Sequence, residues 1–368
     1  MPRKFAADVA PALAGVVARV LPGATLLEVE PFATDEGEDE PTLKAAGYGA
    51  PLKLRVRDAG GRQRRLVFHT ASPDVFGHDR RADRAAEMLL GYDTFGQLPR
   101  HVEALDVGAI NRDGSGLVSL GEAGEFYLLT SFGEGHVYAD ELRRIARKAS
   151  IDEKDIAHTE QLSRYLVELH SEQREDDHRY IRALRDLVGS GEGVAGIVDG
   201  YPDDVPAAPR SRLDSIERRC LEWRHRLRAR GARLSRTHGD FHPFNVLFDD
   251  DSNLTLLDAA RGCRGDPADD VTCMAINYVF FAVEAPGAWK GALGSLWHRF
   301  WSVYLEESGD QELLDVAAPF LAWRGLVVAN PVWYPAVDAD ARDRVLRLIE
   351  RTLESERFEP EFAEAVFA

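Results

Sequence analysis

The stretch Thr237-His238-Gly239-Asp240-Phe241-His242-Pro243-Phe244-Asn245-Val246-Leu247-Phe248 runs on through Leu254-Thr255-Leu256-Leu257-Asp258 to Gly265-Asp266-Pro267-Ala268-Asp269-Asp270. Val246 to Phe248 and Leu254 to Leu257 are short apolar runs around a polar turn, Asp249 to Asn253, which is the pattern of a β-hairpin. A hairpin there sets Asn245, at the start of one strand, beside Asp258, at the end of the other. One neutral and one anionic oxygen suit a magnesium ion that must also take nucleotide phosphates as ligands. Asp240, five residues before Asn245, supplies a carboxylate that can accept a hydrogen bond from a hydroxyl and orient it for in-line attack. His238 is read with Asp240 as part of the catalytic loop, bracing it through backbone hydrogen bonds. Asp266 and Asp270 are expected to cap or brace the helix that follows.

Working outward, Phe5, Val9, Leu13, Val16 and Val20 recur at helical spacing and predict an N-terminal amphipathic helix. Ala24 to Phe32 reads as a strand, and the acidic run 35–40 as a solvated loop. Leu52, Leu54 and Val56 alternate with basic residues, Gly60-Gly61 turns the chain, and Leu66 to His69 returns as a second strand. Residues 79–91 predict a helix closed by Gly91, and strands are expected near Val102–Val107 and Gly116–Leu120. Beyond the loop Thr130–Gly135 the composition becomes helical, over 138–147, 155–187 and 211–231. Gly189–Asp204 reads as a glycine-rich connector. The expected architecture is α+β and two-lobed: a β-rich lobe over 1–131 and a larger, mainly helical lobe over 132–368.

The chain has 368 residues and a formal net charge of -17. Such acidity disfavours nucleic acid and anionic membrane as partners and leans toward a cationic acceptor. No window approaches the length of apolar sequence a membrane span needs. Cys220, Cys263 and Cys273 form no zinc-like pair, which fits a reduced, cytoplasmic protein.

His-Gly-Asp, four residues, Asn, a hairpin, Asp and then Gly-Asp-Pro resembles the aminoglycoside phosphotransferase and choline kinase family. The resemblance implies the two-lobed protein-kinase-like fold and transfer of the γ-phosphate of ATP or GTP to a hydroxyl of a small molecule. It makes Asp240 the catalytic aspartate and makes Asn245 and Asp258 the Mg2+ ligands. Leu166-Val167-Glu168-Leu169-His170 resembles the helix before the catalytic loop. Leu128 to Gly135 resembles the hinge, which puts Leu129, Ser131 and Phe132 near the nucleotide.

The family's phosphate-anchoring lysine is replaced. Its slot reads Leu66-Val67-Phe68-His69, and its acidic helix partner aligns with Asp83 or Glu87. His69 paired with Asp83, one of Arg80, Arg81 and Arg84, or Lys53 on the neighbouring strand are the candidate anchors. Gly47 and Gly49 form a Gly-x-Gly turn that could bring backbone amides to phosphates. On the acceptor side, His242, Arg324, Asn330 and Trp333 are the candidate binding residues, while the other tryptophans fit a helical core. Two further readings stay open. One is a catalytically weak pseudokinase, suggested by His69. The other is a metal-dependent hydrolase using His238, Asp240 and His242, for which the chain offers no further cluster of metal ligands.

Overall fold

The computed structural model describes residues 2–31, 51–74, 77–97, 100, 102–113, 116–126, 128, 130–259 and 262–368. The acidic run 35–40, Gly47, Gly49 and Leu129 lie outside the described residues, as does the side chain of Phe5. The chain divides into two compact units, Met1–Thr130 and Ser131–Ala368.

In the first unit, α1 (Pro2–Val20) packs on an antiparallel sheet of β1 (Thr25–Pro31), β2 (Leu52–Arg57) and β3 (Gln63–Phe68). The alternation in β2 works as it reads: Leu52, Leu54 and Val56 are buried, against Val9, Leu13 and Val17 of α1. Residues four apart share a helix face, so Val17 faces the sheet where Val16 was expected. The β2–β3 turn is tied by Asp58, whose Oδ1 accepts the N–H groups of Gly60 and Arg62 at 3.0 and 2.9 Å.

α2 spans Arg81–Thr94 and runs through Gly91 instead of ending there. Glycine lowers helix propensity but does not forbid the conformation, and at Gly91 the backbone N–H groups keep their helical partners. The expected strand at 102–107 is irregular; pairing begins one residue later, between β4 (Gly108–Ile110) and β5 (Leu117–Ser119).

The second unit is mainly helical, around a three-stranded sheet of β6 (His136–Val137), β7 (Val246–Phe248) and β8 (Leu254–Leu256). The helix expected over 155–187 is two: α4 (Glu153–His170), which follows α3 (Tyr138–Lys148), and α5 (Asp177–Gly189). The break has a non-local cause. Arg174 N–H donates to Leu234 O at 2.9 Å, Arg236 N–H donates to Glu172 O at 3.0 Å, and Ser235 pairs on its other side with Gly265. A continuous helix would forfeit those bonds.

The connector 189–204 contains a short helix, α6 (Val194–Asp199), which precedes α7 (Arg210–Leu227). Gly196 permits its tight entry, since a Cβ there would stand 2.0 Å from Gly191 O.

α8 (Pro267–Glu284) is the axis of this unit and is buried along nearly all its length. Against it pack α9 (Gly294–Ser308), α10 (Leu313–Val316) and α11 (Ala318–Val328), and α12 (Ala339–Glu354) packs in turn on α11. Trp289, Trp297, Trp301 and Trp323 fill the core, whereas Trp333 is 63% exposed. Burying such rings contributes several kcal/mol each, roughly 25 cal/mol per Å2 of apolar surface. No described helix is long and apolar enough to cross a membrane.

Candidate active site

The loop after Thr237 is held from below by α8. Asp270 is fully buried, and its carboxylate accepts the backbone N–H groups of His238 at 2.7 Å and Gly239 at 2.8 Å. Its Oδ2 also meets His170 Nε2 at 3.2 Å, and His170 Nδ1 meets the Tyr304 hydroxyl at 2.7 Å. Gly239 sits at φ +81, in the left-handed region that suits glycine, and this turns the chain so that both N–H groups face one carboxylate.

Asp266 caps α8 by accepting Ala268 N–H at 2.9 Å. It also takes a bidentate pair from Arg233, at 2.9 and 3.0 Å, and the Tyr180 hydroxyl at 2.7 Å. Burial, with the Asp266 charge beside it, pushes the Tyr180 pKa up, so the hydroxyl stays a donor. Both aspartates therefore brace the loop and the helix start.

Above this support stands Asp240, with 22% of its side chain exposed. Asn245 Nδ2 lies 3.1 Å from Asp240 O and 3.4 Å from its Oδ2, and His242 Nε2 stands 3.4 Å from the same oxygen. Asp240 Oδ1 receives Arg324 Nη1 at 2.9 Å. Arg324 is buried; its Nη2 donates to Gly239 O at 3.0 Å and to Asp269 Oδ1 at 2.7 Å, and its guanidinium carbon lies 3.7 Å above the Trp323 ring centroid. Cys273 is buried nearby on α8; burial pushes its thiol well above the ordinary value and keeps it neutral.

The hairpin brings Asn245 and Asp258 together by register. Val246 pairs with Leu256, and Leu257 N–H donates to Asn245 O at 2.9 Å, which leaves Asp258 as the next residue. Asp258 is exposed and holds φ 52, a left-handed conformation that non-glycine residues adopt at a cost of roughly 1 kcal/mol. Its carboxylate has no hydrogen-bond or ion-pair partner among the described residues, and Asn245 spends its amide N–H groups on Asp240. Both therefore offer uncommitted oxygens, the donor set a divalent cation of the magnesium kind takes. Among the described residues no three His, Cys, Asp or Glu side chains gather as a metal site of their own. His238 in particular accepts Asp240 N–H at Nδ1 and keeps Nε2 buried without a hydrogen-bond partner among the described residues.

The other residues singled out in the sequence are dispersed. His69 is exposed, just past the end of β3. Asp83 accepts Arg80 N–H at 2.9 Å as part of the capping box of α2. Arg84 turns Nη1 to the carbonyls of His78 and Asp79, at 2.6 and 3.1 Å, while Glu87 approaches His78 and Lys53 approaches Glu30. Ser131 and Phe132 are exposed in irregular chain. Asn330 is buried and braces its own turn, accepting Val332 N–H at 2.9 Å. Two residues that support the candidate site escaped the sequence reading, Asp269 and Arg233. Asp269 has a faint signal, an acidic pair at a helix start whose two members point to different faces; Arg233 has none.

A family model described as the phosphotransferase enzyme family matches residues 55–306, more than half of the chain. The chain belongs to that family. This phosphotransferase thus falls among enzymes that transfer a phosphoryl group. Among solved structures, a glucosamine kinase in complex with glucosamine, ADP and inorganic phosphate is 14% identical, covering 96% of each chain, with a TM-score of 0.38. Another crystal form of glucosamine kinase is 16% identical over 62% of this chain and 57% of that one, with a TM-score of 0.37. An aminoglycoside-3'-phosphotransferase of type VIII is 21% identical over 85% of this chain and 98% of that one, with a TM-score of 0.33. At these values the family assignment rests on the family model, and the site on its own geometry. A search of curated protein sequences finds no significant match.

Proposed function

We propose that this phosphotransferase moves the γ-phosphoryl group of ATP or GTP to a hydroxyl of a small acceptor, with amine-bearing acceptors favoured by the net charge of -17. One observation carries the reading: Asp240, Asn245 and Asp258 lie along one loop and one hairpin, two of them with oxygens that no described side chain engages.

In this reading Asp240 accepts the hydrogen bond of the acceptor hydroxyl and aims its oxygen at the γ-phosphorus. The new oxygen–phosphorus bond forms as the bond from the γ-phosphorus to the bridging oxygen breaks, and the hydroxyl proton departs by way of Asp240. Asn245 and Asp258 would hold Mg2+, which when bound offsets the charge on the phosphate oxygens. Asn245 also holds Asp240 in place, through its backbone carbonyl and its carboxylate. His238 contributes by posture alone, its ring and backbone fixing the turn.

The test is calorimetric titration with ATP and with GTP, with and without Mg2+, followed by transfer of radiolabelled phosphate to glucosamine, an aminoglycoside, ethanolamine and choline. Magnesium-dependent nucleotide binding is the expected result. Absence of binding for both nucleotides in the presence of Mg2+ would sink the reading.

A further inference from the structure

Arg324 stands in the sequence as a polar residue in an apolar helix and was a candidate acceptor ligand. Its surroundings favour a different role. Only 7% of its side chain is exposed. Both terminal nitrogens are committed, to Asp240 Oδ1 at 2.9 Å, Gly239 O at 3.0 Å and Asp269 Oδ1 at 2.7 Å. The indole of Trp323 covers one face of the guanidinium at 3.7 Å, and Trp323 is itself pinned by its Nε1 donating to Glu192 O at 2.8 Å.

From this geometry we infer that Arg324 is a positioning residue for phosphoryl transfer: it fixes the rotation of the Asp240 carboxylate, with Asp269 as its counter-anchor on α8. The inference rests on the role proposed above for Asp240. A carboxylate on a short side chain can rotate, and only some rotations present an oxygen to a hydroxyl. The planar guanidinium fork removes that freedom. It binds Oδ1, grips the carbonyl of the preceding residue and is itself held by Asp269, and Oδ2 faces His242 and Asn245, at 3.4 Å from each. Lysine has a single charged nitrogen and cannot reproduce that fork. Displacement of a reacting group by ~1 Å is enough to cost on the order of a hundredfold in rate.

The acceptor-ligand and positioning roles separate cleanly when water is the acceptor. A residue that binds the acceptor has nothing to do in slow ATP hydrolysis, whereas a residue that orients Asp240 does. The experiment measures phosphate release from radiolabelled ATP, and transfer to the best acceptor of the panel above, for the parent, Arg324→Lys, Asp269→Asn and Asp240→Asn. For Arg324→Lys, kcat is expected to fall by about tenfold or more in both reactions, with KM for ATP and for the acceptor within about twofold of the parent. For Asp269→Asn a smaller fall of the same kind is expected, and this variant decides the matter if Arg324→Lys fails to fold. Unchanged hydrolysis with a raised acceptor KM would return Arg324 to acceptor binding and overturn the inference. If Asp240→Asn itself hydrolyses and transfers like the parent, the fault lies with the role of Asp240 instead.

Discussion

Asp270 Oδ2 accepts the backbone N–H of His238 at 2.7 Å, from a side chain with no solvent exposure. The same carboxylate takes Gly239 N–H, so two backbone donors of the loop that carries Asp240 depend on one residue of α8. Asp270→Ala leaves both donors buried and unpaired, at a cost of about 1–3 kcal/mol each. A fall of several degrees in melting temperature is expected, with Asp270→Asn intermediate. Melting within a degree of the parent would mean the loop is held by other contacts.

Asp240→Asn keeps the shape of the side chain and removes its charge. Phosphoryl transfer is expected to fall by about 10²–10⁴, while Mg2+-nucleotide affinity stays within about twofold. Arg324 retains Asp269 in this variant, so the fold should hold. Calorimetry beside a radiolabel assay separates the two effects, and near-parental turnover would remove Asp240 from the reaction.

Asp258→Gly sets two quantities moving in opposite directions. Glycine adopts φ 52 without strain, so the protein without ligand is expected to melt at or above the parental temperature. The carboxylate is lost, so stabilisation by ATP that depends on Mg2+ should disappear. A thermal-shift series with and without Mg2+ reads both. Retained magnesium-dependent stabilisation would show that Asp258 is not a ligand.

Glu160 joins α4 to α9. Its carboxylate takes Arg299 Nε at 2.7 Å and Arg164 Nη2 at 3.1 Å, and the Arg299 hydrogen bond is the main cause that holds its pKa below the ordinary value. A carboxyl depressed in the folded state adds stability above its unfolded pKa and loses it as pH falls through the folded one. For this partly exposed group the contribution is at most about 1 kcal/mol. Glu160→Gln should therefore melt below the parent near pH 7 and level with it near pH 3, at low salt. An equal difference at both pH values would show that charge is not what the site supplies.

What could be read from residues alone was what neighbouring residues dictate. The β7–β8 hairpin was legible because its turn is local, and its register alone places Asn245 beside Asp258. The alternation of β2 announced its buried face for the same reason. What escaped depends on segments far apart in the chain. The break between α4 and α5 is held by the pairing of residues 172–174 with 234–236, far along the chain, and its one local mark is Asp176, which caps α5 by accepting Arg179 N–H at 3.0 Å. Arg324 meets Asp240 across 84 residues, and a single arginine in an apolar helix does not announce its partner. Gly91 misled in the other direction, since a helix-ending residue type sat where the helix had no need to end.

The seam at Ser235 has a consequence for the order of assembly. Its two partners, Gln173 and Gly265, lie on either side of it in the chain, and such distant pairings close late because their loops must close first. A nascent chain that had emerged only as far as Asp258, two residues past β8, would already contain Asp240, Asn245 and Asp258. It would still lack the strand partner at Gly265, the Asp270 carboxylate beneath the loop and the Arg324 guanidinium beside it. The residues proposed for the chemistry are thus synthesised before the framework that arranges them, and the candidate site comes into being only when the helices that follow it have folded back.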